Sequence, residues 1–440
     1  MANASVQQVS RDVPQKKAGL PHRRWFIAML LGVGVLVNYF DRVNVSVSQD
    51  ALHASFGLST VQFGYLLSAY SWTYALLQVP SGFLLDKLGV RRIGRISTFI
   101  WSLACFCSAG ALGVATLFGS RFLLGVGEAP TFPACAKAVG YWFPRSERSL
   151  ATAAFDAAAK LGAAIGVPLM GLILLHYGWR WSFAATGIFS FLYFVAFFAF
   201  YRNPSEDPRL TAVEREFIVE GGAHLEGPVK TRQKIPFLHM LRQKKVIGFV
   251  LGYGSYCYTF YLLLTWLPSY LSKSLGIDLR QSVLYTSVPW ACAAIVELII
   301  GGWLVNALIH RGWDANRVRQ TVLIVGTSLG LGILGAARAH TPLATLIWIT
   351  ISLSGLSAAS PVGWSIPALI APERGVGTLG GILNTCNQAA AIAAPIVTGY
   401  IAERTHSFAL AFATAAAILL IGIGFYVFWL GRIEPIPETS

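Results

Sequence analysis

The sequence predicts an all-α membrane protein in which twelve transmembrane helices form two six-helix bundles. Three observations carry this expectation. Of 440 residues, 55% are hydrophobic and only 12% charged, a balance too apolar for a water-soluble globule. Apolar stretches of about 20 residues, enough to cross roughly 30 Å of hydrocarbon, recur along nearly the whole chain. One long polar interruption divides them six and six.

The stretches run at about 25–47, 58–84, 93–112, 115–138, 150–174, 181–201, 246–271, 281–309, 320–338, 342–370, 375–402 and 407–431. They define a disordered, cytoplasmic N-terminal segment at 1–22 and a first bundle at 23–202. A cytoplasmic linker follows at 203–244, then a second bundle at 245–431 and a cytoplasmic tail at 432–440. The linker holds Pro204, Pro208, Gly221 and Gly222, with room for an amphipathic helix at Leu210 to Glu220. A basic, polar lead into the first span, without a small-residue cleavage site, argues against a removable signal peptide.

Orientation follows from the bases. With the N-terminus inside, 25 of the 34 Lys and Arg residues fall in cytoplasmic loops and termini, 5 in outer loops and 4 within helices. Both termini are therefore expected in the cytoplasm, the protein being multi-pass in the inner (plasma) membrane. The net charge of +14 is explained by this topology and needs no nucleic-acid partner. Cys105, Cys107, Cys135, Cys257, Cys292 and Cys386 all lie in expected helices without CxxC or His-Cys spacing, so they read as packing residues, with neither disulfide nor metal site.

The two halves echo one another. GFLLDKLGVRR, Gly82 to Arg92, stands before the third span, and GWLVNALIHRG, Gly302 to Gly312, before the ninth, with Asn306 in the place of Asp86. FPRSERSLA before span five is matched by APERGVGTLG before span eleven. Such repetition is expected of a transporter built from two related bundles.

The first of these loops resembles the signature loop of the major facilitator superfamily. More narrowly, NYFDRVNVSVS, GYLLSAYSWTYALLQVPSGFLLDKLG, RFLLGVGEAPTFPA, YWFPRSERSLA, TWLPSYL and GWSIPALIAPERGVGTLGGILN are similar to the anion:cation symporter branch. The similarity extends from about Arg24 to Trp429 and is nearest to bacterial D-galactonate and hexuronate proton symporters. The resemblance implies proton-coupled transport of an organic anion by alternating access, in a monomer. It also implies that Gly82, Asp86, Gly89, Arg91 and Arg92 form a cytoplasmic latch.

An ionisable group at bilayer depth costs at least a few kcal/mol unless paired or wet, so each is a functional candidate. Asp41 and Arg42 point about 100° apart on a helix, so one can hold a proton while the other holds an anion; the bland alternative is an interfacial anchor. The resemblance gives Asp41 to proton coupling and Arg42 to the substrate carboxylate. Arg121 and Glu128, seven residues apart, share one face of span four about 10 Å apart along the axis. Arg121 offers a carboxylate a two-pronged grip, and burial disfavours the charged form of a carboxyl such as Glu128, which precedes Pro130 and Pro133 in a bent helix. The resemblance makes Glu128 the second proton site and Arg121 a gating base that engages an acid when substrate is absent. The alternative is an ion pair closing the outer side.

Asp156 and Lys160, at i and i+4, form either a self-neutralising pair or, through Lys160, an addition to the anion site. Lys160 departs from the galactonate-type pattern, which has a neutral amide near this position, and leaves open a diacid substrate. Glu297 departs too: it is a third protonatable site or, more simply, a structural partner. Lys137 snorkels at the inner end of span four. Tyr74, Trp364, Ser365, Asn384 and Gln388 supply hydroxyl, amide and aromatic partners for the sugar part, with Tyr39, Tyr70 and Tyr258 behind them.

The reading is a symporter importing a sugar acid, a hexonate or hexuronate, with protons; at least one H+ per carboxylate avoids work against the membrane potential, about 2.3 kcal/mol per charge per 100 mV. Alternatives are another carboxylate (aldarate, tartrate or aromatic acid) or a ligand sensor that moves nothing, against which the tails are short. An enzyme is not expected, nor a metal or cofactor: no nucleophile and base, ligand cluster or phosphate loop is present. The Gly125–Gly127 GxG is a helix-packing motif.

Overall fold

The computed structural model describes residues 22–144, 147–223, 240–339, 341–371 and 376–436. The segment up to residue 21, linker residues 224–239, the end of the tail and parts of the FPRSERSLA and APERGVGTLG stretches lie outside the described residues.

The first half comprises α1 (Arg23–Val47), a short α2 (Gln49–Phe56), α3 (Thr60–Ala109), α4 (Val114–Glu128), α5 (Thr131–Trp142), α6 (Arg148–Tyr177) and α7 (Trp179–Phe200). After α8 (Ala212–Glu220) in the linker, the second half comprises α9 (Lys244–Leu275), α10 (Leu279–Val296), a π-helical turn (Glu297–Leu304), α11 (Val305–His310), α12 (Ala315–Leu329), α13 (Ile333–Arg338), α14 (Pro342–Ile370), α15 (Val376–Thr405) and α16 (Ala409–Phe425). Among the described residues, eight helical segments are long and apolar enough to cross a membrane. The other four expected spans lie in α3, which carries two, in the α4–α5 pair and in α15. Span four is broken in mid-span into two helices of 15 and 12 residues.

Local chemistry sets the breaks. Ser59 and Gln62 form a capping box at the start of α3, each side chain accepting the other's backbone N–H at 3.2 and 2.9 Å. The hairpin joining spans two and three is tighter than expected: α3 runs through it with a single non-helical residue, Gly89, at φ 77° and ψ 164°. Added Cβ atoms there would meet nothing within 4 Å, so the glycine is required by its backbone angles alone. Gly89→Ala should cost about 1–3 kcal/mol, measured as a lowered unfolding temperature in detergent, whereas Gly82→Ala, also unobstructed but not at positive φ, should cost less than half of that.

Span four breaks at Ala129 and Pro130, where proline removes a backbone donor and ends α4 on Glu128. Gly125 and Gly127 let α4 sit directly on α3: a Cβ at either would fall within 2.6 Å of the backbone of Tyr70 or Trp101. The linker helix starts two residues later than expected because Thr211 caps it, its hydroxyl accepting from the Glu214 N–H at 3.3 Å. Arg23 and Arg24 at the start of α1 tie this end of the first half together, pairing with Asp207 at 2.8 Å and with Glu147 and Glu214 at 2.8 and 2.9 Å.

The halves meet along two seams, α6 with α10 and α3 with α15. At the end remote from the termini, Ser46 donates to the Thr265 carbonyl at 2.5 Å and Ser269 bonds Gln49. Tyr65 and Tyr400 touch through their hydroxyls at 3.3 Å, and the Val61 N–H donates to Glu403 at 2.7 Å. At mid-depth each seam has one polar bridge: Lys160 to Glu297, and Asn384 Nδ2 to Gln78 Oε1 at 2.7 Å. The remote end is thus closed.

Glu403 lies just beyond the expected eleventh span, and the free N–H groups opening α3 hold its carboxyl below the ordinary range. A depressed value means that this contact stabilises closure fully above the ordinary carboxylate pKa and is lost as pH falls through the lowered one. Glu403→Ala should therefore speed labelling of Ser46→Cys by an impermeant maleimide at neutral pH, where the thiol reacts.

Candidate functional site

Asp41 and Arg42 are buried in mid-helix and turn to different partners, as their 100° offset requires. The Asp41 carboxylate faces α3 and α7: it accepts from the Trp101 indole N–H, from Ser190 Oγ at 3.2 Å and from Cys105 Sγ at 3.1 Å. Cys105 is thus more than the packing residue expected from the sequence. Arg121, 2% exposed, donates to the Asp41 backbone carbonyl at 3.4 Å, and among the described residues forms no ion pair.

Arg42 turns the other way. Its Nε and Nη2 donate to Glu128 Oε2 at 3.2 and 3.1 Å, and its guanidinium lies over the rings of Tyr39, Tyr70 and Tyr74 at 4.9, 5.1 and 5.5 Å from their centroids. Glu128 is 0% exposed, and its second oxygen has no hydrogen-bond partner among the described residues. The base that holds the span-four acid is therefore Arg42, which the sequence reading gave to the substrate carboxylate. Arg121 instead lies beside the same tyrosine, 5.7 Å from the Tyr70 centroid. Two buried cations consequently face one aromatic wall, one ion-paired with a single carboxylate and the other, among the described residues, with none.

The remaining candidates divide. Lys160 pairs with Asp156 at 3.1 Å and with Glu297 at 3.0 Å, so it is more than balanced. Asn384 bonds Gln78, at i+4 from Tyr74, and Gln388 is buried with its carbonyl oxygen unpartnered. Trp364, 43% exposed, packs edge-on against Tyr253 at 5.9 Å, and Ser365 bonds back to the Val362 carbonyl at 2.7 Å. The hydroxyls of Tyr70 and Tyr258 and the Asn38 amide are likewise buried without partners among the described residues. Buried polar groups of this kind are normally bonded, and those clustered near Arg42 are suited to a polyhydroxylated anion.

A model of the Major Facilitator Superfamily matches residues 31–395. The chain belongs to that superfamily. It is 30% identical to the D-galactonate transporter of Escherichia coli O6:H1, over 96% of this chain and 99% of the relative. It is 31% identical to the probable galactarate/D-glucarate transporter GarP of Escherichia coli K12, over 96% and 98%. In fold it matches a bacterial homologue of the human lysosomal transporter Spinster, in an inward-facing and occupied conformation, with TM-score 0.72 at 15% identity, covering 96% and 100%. As a member of this superfamily the chain is a multi-pass membrane transporter and not an enzyme, with twelve helices in two bundles.

The signature loop of this superfamily member makes contacts within its own half and with the linker. Asp86 pairs with Lys137 at 2.6 Å, whose ammonium also reaches the Leu85 carbonyl at 2.8 Å, so Lys137 has a partner where the sequence showed only a snorkelling chain. Arg91 pairs with Glu206 of the linker, Arg92 is exposed, and Gly82 and Gly89 border open space. The Asp86–Arg91–Arg92 group expected as a latch is thus divided between two partners.

Several site residues escaped the sequence reading: Gln78, Trp101, Cys105 and Ser190. Two ladders would have found three of them, Tyr70–Tyr74–Gln78 and Ser97–Trp101–Cys105, each stepping by four residues and so lining one helix face. Ser190 on α7 had no such signal.

Proposed function

We propose that this protein imports a sugar acid, a hexonate or hexuronate, together with protons by alternating access. The observation that carries the reading is the buried Arg42–Glu128 pair within its tyrosine wall. A substrate carboxylate and Glu128 compete for one guanidinium. When Glu128 takes a proton its charge no longer binds Arg42, which is then free for the anion; when an anion occupies Arg42, Glu128 is left buried and is stabilised by a proton. Proton and anion thereby favour one another's binding, which is the coupling symport needs. Arg121 adds a second positive charge beside the same wall, and Asp41, held by Trp101, Cys105 and Ser190, is the second proton carrier.

The sugar hydroxyls are assigned to Tyr74, Asn384 and Gln388, with Gln78 bridging to the second half, and the aromatic face to Trp364 beside Ser365. With both termini cytoplasmic in the inner membrane, the end closed in this structure faces outward. The protein acts as a monomer without a cofactor, and H+ is the coupling ion. A second reading, transport of a diacid such as an aldarate, is favoured by the similarity to the galactarate/D-glucarate transporter.

The deciding test is external pH in lightly buffered, de-energised cells given galactonate, gluconate, glucuronate, galacturonate, glucarate, tartrate and an aromatic acid in turn. Alkalinisation with one hexonate or hexuronate, absent from vector controls, is the expected result. A response to glucarate alone selects the second reading, and silence across the panel from membrane-resident protein removes proton symport of these acids.

A further inference from the structure

We propose that Asp156, Lys160 and Glu297 form a third proton-binding site, in which two carboxyls from opposite halves share one proton and hold the seam between them closed. The geometry carries the argument. Lys160 Nζ stands 3.1 Å from Asp156 Oδ2 and 3.1 and 3.0 Å from the two oxygens of Glu297. Oxygens that close to one nitrogen lie no more than about 6 Å apart, near enough for two carboxylate charges to repel strongly away from water.

Lys160 and Glu297 are 3% and 2% exposed, and among the described residues no second cation pairs with either acid. One ammonium against two carboxylates leaves a surplus negative charge, and a buried group in that position takes a proton and becomes neutral. Among the described residues the other titratable groups facing the cluster are Tyr39 of α1 and Tyr253, Tyr256 and Cys257 of α9, none of them a cation. From α14, Pro361 and Ala358 bear on Gly301, which fixes the π-helical turn that begins at Glu297. Phe260 closes the apolar side, its ring centroid 6.0 Å from Nζ.

The contrast with Arg42 excludes the simpler role of a second anion grip. Protonating Glu128 releases a whole positive charge toward the substrate. Protonating one member of the triad only brings it to neutrality, so no charge remains to attract an anion. Asp156 moves with Lys160 on α6, whereas Glu297 belongs to the other half. The shared proton is therefore a bond across the seam, and its loss leaves like charges facing each other.

An infrared pH titration of the purified protein in lipid, with Glu297→Gln and Glu297→Asp beside the parent, tests this without substrate. The parent should show a protonated-carboxyl band at neutral pH that is lost on alkalinisation, missing from the Gln variant and retained by the Asp variant. Only the second readout rests on the proposed function: exchange of D-galactonate across proteoliposomes should fall with rising pH in the parent, and Gln, which carries a permanent donor, should remove the part of that fall due to the triad and leave the part due to Glu128. A band unchanged in Glu297→Gln overturns the proposal whatever the transport result; the expected band change without exchange of galactonate or galactarate overturns the transport reading alone. If Glu297→Gln does not reach the membrane, Asp156→Asn probes the same pair from the other half, with the same band expected to vanish.

Discussion

Glu128→Gln is expected to bind sugar acids and exchange them across a membrane at near-parental rates while losing all proton-driven accumulation. The amide keeps the shape of the side chain and can still accept from Arg42, but it neither holds the guanidinium by charge nor takes up a proton. The competition that links anion and proton then disappears, and Arg42 is available to substrate at every pH. For each coupled proton, one unit of pH gradient drives accumulation of about tenfold, equivalent to roughly 1.4 kcal/mol. In the variant this factor should collapse to one, with counterflow intact. Uptake of labelled D-galactonate against an imposed pH gradient, alongside counterflow at equal pH, separates the two. A variant that still accumulates would place coupling on Asp41 or on the seam triad, and the Arg42–Glu128 pair would be a structural tie.

Much of this site was legible because burial makes charges conspicuous: an ionisable residue within an apolar run of twenty has few reasons to be there. Asp41, Arg42, Arg121 and Glu128 could be singled out on that ground, and the 100° rule already separated Asp41 from Arg42. What one chain in linear form cannot carry is which distant partner each group finds. Arg42 and Glu128 lie 86 residues apart, and their pairing depends on how far α4 sinks into α3. Gly125 and Gly127 set that depth, through contacts that only the packed helices reveal. The same applies to Lys160, whose near partner Asp156 was visible at i, i+4 and whose far partner Glu297 was not.

Helix boundaries were legible where side chains cap or break the backbone, as at Ser59 and Pro130. They were less so at the hairpin of α3, where one glycine at positive φ does what the polar loop sequence suggested several residues would do.

Arg42→Ala should abolish measurable binding of every carboxylate substrate. Truncating one member of a buried, hydrogen-bonded charge pair costs about 2–5 kcal/mol, a loss of affinity from roughly thirtyfold to several thousandfold. Two effects add here. The anion loses its two-pronged partner, and Glu128 loses the charge that balances it, so it takes a proton and stays neutral across the working pH range. Arg121 does not compensate: it is committed to the Asp41 carbonyl at 3.4 Å and has no second residue to release it when substrate arrives. Lys160 does not either, since two carboxylates already outweigh it. Arg42→Lys should recover only a part of the loss, because an ammonium cannot bridge two oxygens in one plane or lie flat on Tyr39, Tyr70 and Tyr74. Calorimetric titration of parent and both variants with galactonate and galactarate orders them as parent, Lys, Ala. If the Ala variant binds as tightly as the parent, the grip lies on Arg121, and Arg42 serves only to hold Glu128.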